Sequence, residues 1–485
     1  MHRASSAVAL AAALQLGGCE VGPDFHRPEA PKVTGYTAEA LPPATASAEV
    51  HGGEAQQFLI DRDIPGDWWS LYRSPALNSL IEEAMRANPT IESARAALTQ
   101  AHELELAGRG ALFPTLSGTA SSTRQKLSGA SVGGQGGNIF SVNSASLSVG
   151  YMVDVFGGTR RNIESLAAQT ELERYQLEAA YLTLTANVVT TAVQEASLRG
   201  EIAATQQIID IESDELERLR REFTEGATAN TTVLQQAATL AQERATLPPL
   251  EKSLAQTRHL LAVLLGRPPS DTPPTQFDLA DLQLPQGLPV TIPSRLVEQR
   301  PDIRSAEATL HSASAEIGVA TANMLPELSL SASIGSTAAD SLFYPGTGVW
   351  SLGGSLTQPL FEGGTLLHRK RAAEAGFDEA VAQYRNTVLT AFQNVADALR
   401  AVQSDADTLN AQLASERAAA DSLAASQRQF QEGAASYLTL LNAELTYQQA
   451  HLALVQAQAA RFSDTAALFQ ALGGGWWNRS DVASQ

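Results

Sequence analysis

The chain has 485 residues, of which 44% are hydrophobic but only 6% aromatic and 18% charged, a balance that suits extended helices better than a compact enzyme core. A net charge of −19 offers no basic surface for neutralising phosphates, which argues against nucleic-acid binding. One cysteine excludes a disulfide framework and any Cys-clustered metal site, and none of the eight histidines forms a His-x-x-x-His or HExxH pair.

The N-terminus has a short charged start (His2, Arg3), an apolar run from Ala7 to Leu16, and then Leu16-Gly17-Gly18-Cys19. About ten apolar residues are too few to span a bilayer, which takes about 20, so residues 1–18 read as a signal peptide. The last four residues resemble a bacterial lipobox, which implies a lipid on Cys19. Glu20 follows it in place of the aspartate that retains lipoproteins at the inner membrane, and transfer to the outer membrane is the expectation. Residues 19–66, with Pro28, Pro31, Pro42 and Pro43 and no periodicity, read as an extended surface tether.

Beyond the tether the chain repeats itself. A shift of about 212 residues lays Asn88–Ala101 on Arg300–Ala313 and Phe113–Ser121 on Leu325–Ser333; further on, Phe223–Leu234 matches Phe430–Leu441. The matches are colinear and divide the chain into tandem units, 67–290 and 291–475, with a tail at 476–485. Each unit reads as a helix, a hairpin of alternating residues and two very long helices. In the first hairpin Ala145, Leu147, Val149, Tyr151 and Val153 alternate with Ser146, Ser148, Gly150 and Asp154; in the second, Leu328, Leu330, Ala332 and Ile334 alternate with Ser329, Ser331, Ser333 and Gly335. Period two with small polar residues opposite is the pattern of transmembrane β-strands, although a half-buried surface strand shares it. The Gly/Ser-rich Ser128–Asn138 falls between paired strands as a loop.

From Thr159 to about Glu225 only Gly200 interrupts a helical pattern, and at ~1.5 Å per residue this gives roughly 100 Å of rod. In the second unit Val388, Phe392, Val395, Leu399, Val402, Ala406, Leu409 and Leu413 step by four and three, a coiled-coil seam. Return helices start near Thr231 and Tyr437, and Pro248-Pro249 should break or kink the first. Glu225-Gly226-Ala227 and Glu432-Gly433-Ala434 form the turns between outgoing and return helices, at the far end from the strands.

Several stretches together carry a resemblance: Cys19–Pro28 (CEVGPDFHRP), Asp67–Pro89, Arg300–Glu307, Pro359–Gly364 (PLFEGG), Phe430–Glu444 and Ala471–Trp476. In these the chain is similar to the outer membrane factor family of TolC-like channels, in its lipoprotein branch of the OprM and NodT type. The resemblance implies a mainly α fold with a transmembrane β-barrel portion. It also implies a homotrimer whose protomers each give four strands to one 12-stranded barrel and their helices to a periplasmic α-barrel. Four strands alone cannot close, since about eight is the smallest barrel. The implied function is passive: the channel takes small toxic compounds from an inner membrane RND-type pump through a periplasmic adaptor and passes them across the outer membrane. No cofactor is implied beyond the lipid on Cys19, and no nucleophile–base pair, Walker loop or metal constellation suggests an enzyme. Adaptors of the family dock on the turns, here Gly226, Ala227, Gly433 and Ala434.

At the family's gate this chain departs from the pattern. The position of the gate aspartate, nine residues beyond the second turn glycine, is Asn442; its counterpart in the first unit is Thr232, and Phe430 stands where tyrosine is usual. The candidate constriction is therefore Phe430, Asn442, Thr232 and Glu444, with Glu444 either replacing the missing carboxylate or lying on a solvated helix face. Two rival functions are a type I secretion exit duct and a structural coiled-coil envelope lipoprotein without a pore. The lipobox argues against the first, and the paired hairpins against the second.

Overall fold

A computed structural model describes residues 20–127, 138–271, 277–339, 342 and 344–479. The signal peptide, Cys19 and most of the Ser128–Asn138 loop lie outside the described residues. The principal elements in chain order are β1 (Gln57–Ile60), α1 (Pro75–Ala87), α2 (Pro89–Gly110), β2 (Thr115–Leu127), β3 (Asn138–Val153), α3 (Gly158–Thr224), α4 (Asn230–Leu264), β4 (Gly287–Val290), α5 (Pro293–Gln299), α6 (Pro301–Ala322), β5 (Glu327–Ala338), β6 (Gly348–Thr357), α7 (Thr365–Gln431) and α8 (Tyr437–Ala471). The repeat is metrically tight: α2 and α6 have 22 residues each, α3 and α7 67, α4 and α8 35. No helix among the described residues is long and apolar enough to cross a membrane.

The chain divides into two compact units. The first comprises residues 20–28, 97–174 and 305–385 and holds an antiparallel sheet in the order β2-β3-β5-β6. The two hairpins predicted separately are thus joined in one sheet by β3–β5 pairing, with Leu147 opposite Ile334 and Val149 opposite Ala332. The segment 20–28 is fastened to α3 and α6, which accounts physically for the VGPDFHRP run. Gly22 has φ +98° and a Cβ there would sit 2.4 Å from Gly318 Cα, so only glycine fits. The buried Arg161 side chain donates to Asp24 Oδ1 at 2.7 Å and to the Val21 carbonyl at 3.1 Å. Phe25 stacks on His311 at 4.3 Å, and Arg27 pairs with Glu307 at 3.0 Å.

The second unit comprises residues 29–96, 175–304 and 386–479. Its helices pack through seams; of the eight seam residues predicted in α7, seven are buried, and Phe392 is half-buried against Tyr36. Two expectations are corrected here. Of the break or kink expected at Pro248-Pro249, the break does not occur: α4 runs through both, because they and Arg244 and Ala245, whose carbonyls lose their amide donors, lie on an exposed face where water can serve them. Residues 20–66, expected to be an extended surface segment, are extended but also packed. β1 pairs in parallel with β4, and Gln56, Phe58 and Ile64 are buried. Buried Arg461 of α8 holds the segment, donating to the Gly52 carbonyl at 2.9 Å, to Gln56 Oε1 at 3.0 Å and to the Glu54 carbonyl at 3.1 Å. Gln56 in turn donates to Thr465 Oγ1 and the Pro285 carbonyl, both at 2.9 Å. Tyr72 donates to the Phe462 carbonyl at 2.8 Å, and Trp68 stacks on Phe469 at 5.2 Å.

Because several buried acceptors share one guanidinium, Arg461→Met should leave them unpaired and destabilise this unit by about 3 kcal/mol. Limited proteolysis would show it as new cleavage within residues 29–66, with Arg461→Lys intermediate.

Candidate functional site

Two surfaces qualify as functional: the faces of the sheet and the helix turns. On the sheet, register puts Leu116, Gly118 and Ala120 of β2 on the face that carries Val149, Leu147 and Ala145 of β3, Ala332, Ile334 and Leu330 of β5, and Leu352, Trp350 and Leu356 of β6. This face is open: Trp350 is 78% exposed and Leu352 80%. From Ala145 to Val153 the apolar stripe covers the nine to eleven residues a strand needs to cross a bilayer. The opposite face is small and hydroxylated, with cross-strand pairs Ser121–Ser144 at 2.7 Å and Ser333–Ser351 at 2.8 Å. The outer edges of β2 and β6 have no strand partner within the sheet.

Both predicted turns have the same geometry. Gly226 has φ +76° and Gly433 φ +71°. In each the glycine amide bonds three residues back, Gly226 to the Phe223 carbonyl and Gly433 to Phe430, both at 3.0 Å. The next amide bonds five back, Ala227 to Glu222 and Ala434 to Gln429, both at 2.8 Å. This is a Schellman ending, which needs a left-handed residue at the glycine. All four turn residues are exposed.

The constriction candidates separate. Asn442 is exposed on α8, while Thr232 is half-buried near the start of α4. Phe430 is half-buried, 5.7 Å from the Tyr437 ring and under the Arg218 guanidinium. Of the two readings of Glu444, the solvated helix face does not hold, because the side chain is buried. It belongs to a polar layer that sequence reading missed. Glu212, Gln236 and Gln448 are also buried, and Tyr437 donates to Gln236 Oε1. Gln236 donates to the Glu212 carbonyl at 3.1 Å and Gln448 to Glu212 Oε1 at 3.4 Å. Glu212 Oε2 and Glu444 Oε2 have no partner among the described residues. A signal existed, since Ile209, Glu212, Leu216 and Leu219 keep seam spacing with a carboxylate in an apolar slot, as do Tyr437, Leu441, Glu444 and Gln448. Burial pushes the Glu212 carboxyl up to about 7, with help from Glu243; burial likewise lifts Glu444 to about 7, with help from Glu215 and Glu212. Among the described residues no group of three or more His, Cys, Asp or Glu could hold a metal ion.

The site is therefore an open four-stranded sheet with one apolar face, together with two pairs of long helices that end in matching turns. Residues 80–267 and 292–474 match the sequence profile of the family described as "Outer membrane efflux protein". The chain is 30% identical over 478 residues to the probable efflux pump outer membrane protein TtgC of Pseudomonas putida, covering 97% of this chain and 95% of TtgC. It is 31% identical over 418 residues to the pyoverdine export outer membrane protein OpmQ of Pseudomonas aeruginosa, covering 84% and 87% respectively. The solved structure of the outer-membrane channel OprN superposes with a TM-score of 0.83 at 27% identity, covering 94% of this chain and all of that one. The chain belongs to the outer membrane efflux protein family. Its fold is that of the TolC-like channels, its place the outer membrane and its activity efflux.

The raised carboxyls give a signed pH dependence. A glutamate that titrates near 4.5 unfolded and near 7 folded costs nothing below about pH 4.5, costs more as pH rises towards 7, and costs its full penalty above. Glu444→Gln should therefore raise the melting temperature of the detergent-solubilised protein at pH 8, and that gain should vanish by pH 4.5. Circular dichroism melts at the two pH values would check this; an equal gain at both would contradict it.

Proposed function

We propose that three copies surround one axis, β2 of each pairing with β6 of the next, to close a 12-stranded barrel through the outer membrane. The long helices continue it into the periplasm as an α-helical barrel. The assembly passively exports small toxic compounds that an inner membrane RND-type pump delivers through a periplasmic adaptor, and no residue performs covalent chemistry. The observation that carries this reading is the sheet: four strands, two unpaired edges and one open apolar face. Unpaired edge groups cost several kcal/mol each in hydrocarbon, so the sheet needs neighbours. Antiparallel pairing of β2 with a neighbouring β6 also brings Phe113, just before β2, beside Leu360 and Phe361, just after β6. In one chain these are 68%, 91% and 89% exposed. Lipid on Cys19 then anchors the N-terminal segment, and it is the only prosthetic group required.

Phe361→Asp should convert the detergent-extracted trimer largely to monomer, as read by native mass spectrometry. A stable wild-type monomer with its strands intact would overturn the barrel.

At the periplasmic end, the reading assigns adaptor docking to Gly226, Ala227, Gly433 and Ala434 and the constriction to a ring of Asn442. Thr232 and Phe430 flank that ring, and Glu444 supports it from inside the helical packing. The first element of this assignment has a direct test. No side chain lies within 4 Å of a Cβ built at Gly433, so Gly433→Val acts through positive φ alone and should impair adaptor cross-linking and export while leaving the trimer in place.

The gate assignment has its own test. Three neutral amides should bind divalent cations weakly, so Asn442→Asp should strengthen cation block in single-channel recordings, with relief as pH falls through the carboxylate range. Unchanged block would remove Asn442 from the pore.

A further inference from the structure

Among the described strand residues of the four-stranded sheet, only Arg124, Lys126 and Glu327 carry formal charge. Glu327 opens β5 at the end where the helices attach, and its register puts it on the hydroxylated face. Arg124 and Lys126 lie differently. They are two residues apart on β2, about 7 Å, and both are exposed. They share the face of Leu116, Gly118 and Ala120. Along that face the order is apolar residues to Ala120 and Ala145, then Ser122 donating to Asn143 Oδ1 at 2.7 Å, then the two cations, Arg124 opposite Ser141 and Lys126 opposite the exposed Ile139. β2 is entered from α2 and β3 leaves into α3, so the pair stands at the end of the sheet remote from the helices. Neither cation has an acidic partner among the described residues, in a chain whose net charge is −19.

We propose that Arg124 and Lys126 form a binding site for the phosphate groups of outer-leaflet lipid, one pair per protomer around the barrel. This rests on the reading that the sheet spans the outer membrane with the helices in the periplasm. Continuity with the lipid-facing stripe selects the occupant. A side chain one step past the hydrocarbon boundary meets headgroups, and cations there attract anionic ones within a Debye length. The pair sets how deep the barrel sits: the apolar stripe fixes the hydrocarbon, and the cations fix the headgroup layer above it.

The test uses the full-length assembled protein in phosphatidylcholine nanodiscs doped with a bisphosphorylated glycolipid or with its dephosphorylated counterpart. Native mass spectrometry then counts the lipids retained. Wild type should retain the phosphorylated form several-fold more, and R124Q/K126Q should retain the two equally while still conducting in planar bilayers. Should the double variant fail to assemble, R124K/K126R should keep the preference and K126Q alone should reduce it. Retention that ignores the phosphates, or a preference unchanged in R124Q/K126Q, overturns the proposal. Complete displacement by millimolar inorganic phosphate also overturns it, by making this a soluble-anion site. A wild-type assembly that never conducts would instead count against the channel reading, leaving lipid retention to be judged separately.

Discussion

The backbone amides and carbonyls along the free edges of β2 and β6 set the terms for the rest of the molecule. In water an edge strand can be left to solvent; in hydrocarbon it cannot. On the reading proposed above the sheet is a fraction of a closed ring, which would answer that constraint, and its side chains are sorted by face. Leucine, isoleucine and tryptophan stand on one face, and serine, threonine and glycine on the other, with hydroxyls paired across strands. On that same reading the small residues would line a lumen, and the bulky exposed Phe113, Leu360 and Phe361 beside the edges would be covered by a second copy.

The packing near the helix turns follows a second rule, that a polar group inside a seam specifies partners more than it stabilises them. Glu212 from α3, Gln236 from α4, and Tyr437 and Gln448 from α8 interlock across both helical hairpins, with Glu444 buried nearby. Leucine in these slots would pack in several registers; a glutamine that needs a particular carbonyl and a particular hydroxyl accepts one. The unpartnered carboxylate oxygens mark where that specificity is incompletely satisfied.

How much of this was legible beforehand depended on whether the relevant force acts locally. The long helices were readable because their periodicity is local, and α3 ends within a residue of its predicted limit. The turns were readable because glycine at positive φ is a local requirement. The N-terminal segment was not, because its order comes from Arg161, His311, Glu307 and Arg461, residues far away in sequence. Proline chemistry predicted a break or a kink in α4, and exposure to water made a break unnecessary. For Glu444 the sequence left two readings open, a gate carboxylate or a solvated face; it lies two residues from exposed Asn442, and about 200° of helix rotation turns a side chain from solvent to core. The β3–β5 pairing that joins the hairpins spans nearly two hundred residues and leaves no local trace.

The matched helix lengths limit what evolution can vary. The offset between repeats is 212 residues at the starts of α2 and α6 but 207 at the starts of α3 and α7, and still 207 at α4 and α8. All of the difference in length has accumulated between the short helices and the long ones, where the strands lie. A residue inserted into a long helix would rotate every later seam position by about 100° and advance it ~1.5 Å, dislocating both hairpins at once. One inserted in a strand connection lengthens a loop and disturbs nothing downstream. Length differences between the two repeats are thereby confined to the strands and their connections, at both ends of the sheet, while the long helices stay commensurate.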